Sequence, residues 1–405
     1  MRAFIFIALL GCSAPVQEAA VTTSGGGGTG GTGGTGGSQP QSSKLDALLT
    51  ALREDRDRAL LDQSRAEGWP APVEGGHLVV SSDVTLDRVA GDHDAWSGVA
   101  MEHADDFAWA VIELSAGGHY KLTDGTRFEA DPWSRSYTYD EYGEMSMLAG
   151  EPAHLERHFQ VQDETVEART LRIWIPGETP SHVLYVHDGQ NLFGGGWRLE
   201  ESAPPAMMLV GIDNTPARMD EYTHVQDRIQ GELIGGSADA YADYLENHVR
   251  ALVAEHYGEP AVVGVMGSSL GGLVSFHIAD RSDGYAFAAS LSGTMGWGSI
   301  GLDNGAQNET MIERYAAAGH RNTKLYLDSG GGGPCADSDG DGIDDDEPGA
   351  SDNYCENVQL ADVLRSAGYV DARDLWHWHE PGASHDEAAW AARVWRPLGI
   401  FADLR

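Results

Sequence analysis

An α/β fold with a mostly parallel central sheet is predicted for residues 151–405, preceded by a small β-sandwich over 75–150, and three observations predict it. Short apolar runs, "TLRIWIPG", "HVLYVHDGQ", "AMMLVGIDN", "PAVVGVMGSS", "AFAASLSG" and "TKLYLDSGG", lack the alternation of a half-solvated strand and end in Gly, Asp or Ser. Helical segments such as "GSADAYADYLENHVRALVAEHYG" separate several of them, the grammar of parallel strands buried on both faces. Ahead of these, "GHLVVSSDVTLDRVAGDHDAWSG", "FAWAVIELSAGGHYKLTDG" and "TRFEADPW" are short alternating runs split by turn residues, as in an antiparallel sandwich. Ligands of an open α/β sheet collect at the carboxyl ends of its strands, so a site is expected there.

The chain begins "MRAFIFIALLGC", an apolar run too short to span a bilayer and ending in small residues, which reads as an export signal over residues 1–11. Its end, "LLGC", resembles a bacterial lipobox. That resemblance implies a lipidated Cys12, with Ser13 permitting transfer to the outer membrane. Residues 12–43 include "TTSGGGGTGGTGGTGGSQPQSS", which carries no charge and nothing to bury, and reads as a flexible tether. Residues 44–74 follow as a helical segment. In it Leu45, Leu48, Leu49, Leu52 and Ala59 fall at helical spacing, with Ser43 as N-cap and Asp46 completing a capping-box-like pair.

The charge balance limits the partners. With 26 basic against 63 acidic residues the net charge is −37, which repels nucleic acid and anionic headgroups. Membrane contact is therefore expected only through the lipid anchor, and the oligomeric state is left open. Three cysteines are present. In an oxidising compartment the two left after Cys12, Cys335 and Cys355, are expected to pair, which would stabilise by roughly 3 kcal/mol in the chain-entropy account.

In the sandwich, "VAGDHDAWS", "YKL" and "DP" resemble the early-set immunoglobulin-like domain that precedes esterases of the enterochelin type. The resemblance implies that Trp96 and Trp133 could stack on a planar ligand; packing in the core or between domains is the competing and favoured reading.

The chemistry centres on "VVGVMGSSLGG". Gly267, Ser269 and Gly271 form GxSxG between an apolar strand and a helix-compatible segment, the setting of a nucleophile elbow that exposes the Ser269 hydroxyl. A hydroxyl needs a base, because it is protonated at neutral pH. Of 16 histidines, His379 and His385 follow the last core strand in a loop before the closing helix. His377 and His379 sit in an alternating run, whereas His385, in "PGASHDEAAW", sits at a loop-to-helix junction and is the expected base.

Taken with "YVHDGQNLF", "VGIDNTPARMDEY", "GGSADAYADYLENHV" and "HDEAAWAARV", the motif resembles the putative esterase family of α/β-hydrolases, which includes enterochelin and feruloyl esterases. The resemblance implies Ser269 as nucleophile, His385 as base and an oxyanion hole from the N–H groups of Leu270 and Gly189. It also suggests Asp188, Asp213 and Arg218 as substrate-binding residues, with Glu221 near them; Asp188 can equally be a turn residue, and the other three can pair with one another.

The triad acid is expected after "TKLYLDSGG". Relatives carry it a few residues beyond the strand, so if residues 331–351 are an insertion, Asp352 is the matching acid and Asp328 the alternative. The insertion holds "DSDGDGIDDD", in which Asp337, Asp339, Asp341, the Ile343 carbonyl and Asp345 follow the order of an EF-hand-like or thrombospondin-type calcium loop, with Pro348 where a bidentate acid belongs. A structural Ca²⁺ is expected, coupled to triad geometry through the loop, and no cofactor for catalysis. The reading is an exported outer-membrane lipoprotein that cleaves carboxylic esters, siderophore- or carbohydrate-linked, through an acyl-enzyme. An acyltransferase and an inactive surface binding protein are the alternatives.

Overall fold

The computed structural model describes residues 43–150, 153–258, 261–301, 308–346 and 352–405. The export signal, Cys12, the tether and residues 347–351 lie outside the described residues. No helix among the described residues is long and apolar enough to cross a membrane.

Helix Lys44–Ala66 starts at Ser43, whose hydroxyl accepts from the Asp46 N–H, and is broken in mid-course at Asp55, where the backbone turns extended. It ends eight residues before the expected boundary at 74. Its Leu49, Leu52 and Leu60 pack with Leu78, Val80 and Phe107, while Val79, between those strand residues, faces the opposite way into a cluster with Val89, Tyr120 and Leu122. A four-stranded sheet built on Gly76–Ser81 and Ala108–Ile112 is thus covered by the helix on one side and by a second sheet on the other. Because side chains alternate along a strand, a run such as "HLVVS" must be apolar at consecutive positions to satisfy both layers.

The second sheet does not stop at residue 150. Ser136–Asp140 pairs with His154–Val161, and through it the sandwich strands join the larger sheet, making one continuous 14-stranded sheet. In its second half six strands are parallel, in the order Leu375–His379, Lys324–Ser329, Phe287–Leu291, Val262–Ser268, His182–His187, Met207–Ile212. The run "TLRIWI" was expected to be parallel as well. It is antiparallel to both its neighbours, His154–Val161 and Met207–Ile212, because the chain reaches it by a short reversal with no crossover helix.

Both faces of the parallel strands are buried. Val183, Tyr185, Val263 and Val265 enter one apolar cluster, and Leu184, Val186, Val262 and Met266 enter the other. Each such side chain contributes about 1.5–3 kcal/mol on burial.

Five histidines, buried or half-buried among these layers, are shifted strongly. Desolvation lowers His158, His187 and His277 to about 3, and His224 and His377 to about 4, from 6.5. A base whose folded value is depressed contributes stability above its unfolded value, lost as pH falls towards the folded one. Carboxyls raised by burial act in the opposite sense, among them Glu200, Asp213, Glu356 and Glu387. Burial pushes Asp131 and Asp328 up to about 6, so their contribution is present at low pH and lost as pH rises through that value. The rings' own contribution to stability is therefore expected to fall between about pH 7 and pH 5, by about 2 kcal/mol per ring at the lower limit; a dependence of Tm on pH left unchanged by His187→Gln would contradict a neutral ring at that position.

Candidate active site

Ser269 sits between the strand Val262–Ser268 and the helix Leu270–Arg281, with φ +55 and ψ −123. Such a backbone is strained for a residue with a side chain. It is held by the Ser269 N–H donating to the Leu291 carbonyl at 2.9 Å and by the Thr294 N–H donating to the Ser269 carbonyl at 3.3 Å. The glycines do unequal work. A Cβ on Gly267 would lie 2.5 Å from the Gly271 backbone, so the strand-to-helix bend requires glycine there. A Cβ on Gly271 would meet only Asp188 Oδ2 and His187 Cβ, at 3.2 and 3.3 Å, whereas one on Gly272, outside the motif, would lie 2.2 Å from Ser290 Oγ.

His385 Nδ1 lies 2.7 Å from Asp352 Oδ1, and Asp352 is fully buried. Two loops bring these residues together. The Gly331 N–H donates to the Ala383 carbonyl and the Gly382 N–H to the Gly331 carbonyl, zipping the start of the insertion to the His385 loop. Gly330 permits this approach, since a Cβ there would lie 2.2 Å from the Ala383 carbonyl and 2.6 Å from Asp352 Oδ2. His385 is oriented from below by the edge of Trp390, with centroids 5.0 Å apart. Among the described residues neither the Ser269 hydroxyl nor His385 Nε2 has a hydrogen-bond partner, so both are open to a substrate. Catalytic hydrogen bonds commonly tighten only when substrate binds.

The other histidines go elsewhere. His379 Nε2 donates to the Gly331 carbonyl and the ring lies against Tyr354, and His377 is half-buried in the edge strand. Asp328 is buried too, but its carboxylate meets Arg393 Nε at 2.9 Å and the Tyr326 hydroxyl at 2.8 Å; the acid at His385 is Asp352.

Leu270 and Gly189 are each the first residue of a helix, a long one and the short 3₁₀ turn Gly189–Asn191. First-turn N–H groups have no acceptor within their helix, so both can point at a ligand. Gly189 must be glycine, because a Cβ would lie 2.7 Å from both Asp213 Oδ1 and the Gly211 backbone. Asp188, in the left-handed region at φ +62, anchors this turn through Arg218 Nε and Nη2 at 2.7 and 2.8 Å and Asn214 Nδ2 at 2.5 Å. Burial alone would raise the Asp188 carboxyl, yet the guanidinium and the amide hold it below its ordinary value.

Asp213 is bidentate with Arg172 at 2.8 and 3.0 Å, and Glu221 with Arg169 at 3.0 and 2.7 Å. Asp213, Arg218 and Glu221 therefore do not pair with one another; each has a separate partner. Glu387 joins the two halves of the site, accepting from Asn191 Nδ2 at 3.0 Å and from Trp197 Nε1, and burial raises its carboxyl.

In the insertion, Asp337, Asp339 and Asp341 bring one carboxylate oxygen each to within 4.8 Å of one another. Asp345 lies outside this group of three. Its Oδ2 accepts from the Ser338 N–H, because the Ala336–Asp345 bridge folds the loop back on itself. Cys335 and Cys355 are disulfide-bonded. In the sandwich, Trp133 packs on Phe159 at 5.3 Å, a contact between the sandwich and the larger sheet, and the Trp96 indole donates to Asp92 Oδ1 at 3.1 Å.

Several residues of the site carry no sequence signal of their own: Gly330, Ser292, Trp390 and Arg393. Trp390 and Arg393 lie three residues apart on the helix Glu387–Arg393, so one face of it carries both.

Residues 163–398 match the model of a family described as Putative esterase. No curated protein sequence matches the chain. Among solved structures, the chain is similar to an IroE-like serine hydrolase of Shewanella oneidensis, at 18% identity and TM-score 0.48, covering 62% of this chain and 80% of that one. It is also similar to a siderophore hydrolase of Aspergillus nidulans, at 17% identity and TM-score 0.45, covering 63% and 96%. An enterochelin esterase of Shigella flexneri is similar at 14% identity and TM-score 0.45, covering 80% and 92%. The family match spans more than half of the 405 residues, and the chain belongs to the putative esterase family, as an ester hydrolase of α/β-hydrolase fold.

Proposed function

We propose that this ester hydrolase works through an acyl-enzyme on Ser269. The observation that carries the reading is the 2.7 Å contact between His385 Nδ1 and the buried Asp352. With Asp352 accepting from Nδ1–H, the Nε2 lone pair is free to take a proton. Ser269 Oγ attacks the ester carbonyl carbon as its proton passes to His385 Nε2. The Leu270 and Gly189 N–H groups receive the developing oxyanion, an interaction whose loss typically costs about 10²–10³-fold in rate. The tetrahedral adduct expels the alcohol, which takes the proton from Nε2, and water repeats the sequence to release the acid.

The substrate reading is an uncharged small-molecule or glycan-linked ester. Arg218 and Arg172, the cations beside the Gly189 turn, are each held by a carboxylate, which leaves neither available to an anionic substrate. A fluorophosphonate probe tests the nucleophile: it is expected to label the wild type and not Ser269→Ala. A panel of p-nitrophenyl and feruloyl esters tests the substrate class, and faster turnover of a carboxylate-bearing ester than of its neutral analogue would count against it.

Two further parts of the proposal concern the rest of the chain. The three converging carboxylates suit a hard cation, so Asp337, Asp339 and Asp341 would hold Ca²⁺, which would neutralise their repulsion. The Ser299 hydroxyl meets Asp341 Oδ2 at 2.5 Å, and Asp346 accepts from the Tyr354 and Cys355 N–H groups, so the loop is tied to the segment carrying Asp352. Chelation is expected to lower both Tm and esterase rate, and equal values with and without a chelator would remove the ion from the account. Export with lipidation at Cys12 predicts palmitate incorporation in a bacterial host that is lost in Cys12→Ser.

A further inference from the structure

Behind Asp352 lies a buried polar group that the acyl-enzyme reading does not use. Ser292 Oγ, fully buried, donates to Asp352 Oδ2 at 2.7 Å. The same oxygen accepts from Arg393 Nη2 at 2.6 Å and from Trp390 Nε1 at 3.0 Å. Arg393, 2% exposed, is itself held by Asp328 Oδ1 at 2.9 Å and stands 3.4 Å from Asp352 Oδ2. The Tyr326 hydroxyl donates to the other oxygen of Asp328.

Hydrogen-bond inventory decides the polarity of this group. Guanidinium and indole N–H groups can only donate, and a hydroxyl has two lone pairs and one proton. With both lone pairs of Ser292 Oγ occupied by obligate donors, its proton has one remaining direction, towards Asp352. Asp352 Oδ2 also receives the Gly330 N–H. A proton on Oδ2 would therefore face only donors. A proton on Oδ1 would have to point at His385 Nδ1, and would leave His385 with its hydrogen on Nε2, the tautomer that cannot accept from Ser269.

We propose that Ser292 and Arg393 are positioning residues that force the hydrogen-bond polarity of Asp352 and thereby select the catalytic tautomer of His385. Asp328, on this account, serves as the counter-charge that fixes Arg393, and Trp390 contributes twice, donating to Ser292 and bracing the His385 ring. Ser292 reaches its place at a backbone cost: its φ is +51, and its N–H donates to the Asp328 carbonyl at 2.8 Å. Strain of this kind persists where surrounding contacts over-determine it. The inference rests on Ser269 and His385 acting as proposed above.

The test is the pH dependence of kcat and kcat/KM for p-nitrophenyl acetate, measured on the full chain for wild type, Ser292→Ala, Trp390→Phe and Arg393→Met, with Ser269→Ala as control. Ser292→Ala keeps the Cβ and the backbone demand, and is expected to fold. Its kcat should fall about tenfold with KM within about twofold, the split expected of a group that acts on the transition state alone. Removing a donor or a positive charge from the far oxygen raises the proton affinity of the His385 and Asp352 pair, so the acid limb should move up by about half to one pH unit in Ser292→Ala, and further in Arg393→Met. Trp390→Phe keeps the ring and loses one donor, and should shift the limb less than Ser292→Ala. A wild-type kcat and acid limb in Ser292→Ala, with Ser269→Ala inactive, would overturn the clamp while leaving the nucleophile in place. Loss of rate in Ser292→Ala with an unmoved limb would reduce Ser292 to a structural residue and overturn it as well. Turnover by Ser269→Ala at the wild-type rate would remove the nucleophile and the clamp with it.

Discussion

Ser269→Ala is expected to lower kcat on a p-nitrophenyl ester by about 10⁵-fold, equivalent to about 7 kcal/mol of transition-state stabilisation, with Tm nearly unchanged. The large rate effect follows from the mechanism, since without the hydroxyl no acyl-enzyme forms and only the oxyanion donors and substrate binding remain. The small stability effect follows from the structure. Alanine keeps the Cβ that already tolerates φ +55, and the hydroxyl it removes has no hydrogen-bond partner among the described residues. The Ser269 N–H and carbonyl bonds that hold the elbow belong to the backbone and survive the substitution. Circular dichroism and thermal melts beside the rate measurement separate the two. A variant that unfolds would leave the rate loss uninterpreted by this argument, and one that folds and still turns over would refute it.

Asp352→Asn should cost about 10⁴-fold in kcat, for a different reason. The amide would present an N–H to His385 Nδ1 or to the donors on Oδ2, and either choice breaks the polarity of the chain of bonds. If it donates to Nδ1, the ring carries its proton on Nε2 and cannot act as base. If it is turned the other way, its NH₂ faces the Ser292 hydroxyl and the Gly330 N–H. Asp328→Asn is the informative contrast, because its carboxylate touches Arg393 and Tyr326 and not His385. It should retain activity to within about tenfold while losing stability, since breaking one partner of a buried ion pair costs about 3–5 kcal/mol. Should Asp328→Asn prove the more damaging to kcat, the acid has been assigned to the wrong residue.

The asymmetry between these two aspartates shows where reading the chain stops. Asp328 lies in the strand Lys324–Ser329 and Asp352 follows it, and "TKLYLDSGG" places Asp328 nearer to the motif in sequence. What separates them is the close approach of Gly330 and Gly331 to Ala383, which turns the end of the insertion towards the His385 loop, and no local pattern encodes a contact across fifty residues. The join of the sandwich to the large sheet was illegible for the same reason. Strand alternation announces that Ser136–Asp140 and His154–Val161 need partners, and cannot say that they partner each other.

By itself the sequence determined the class of the fold, the turn that carries Ser269, the candidate base and the family. Those properties live in short windows, where periodicity, glycine placement and residue chemistry constrain the backbone directly. Tertiary structure alone decided which acid meets His385, that Asp188 and Asp213 are bound to different arginines, and that Ser292, Trp390 and Arg393 converge behind Asp352. The physical reason is that a buried polar group must find its partners wherever packing brings them, and packing joins residues by distance in space, with no regard for distance along the chain.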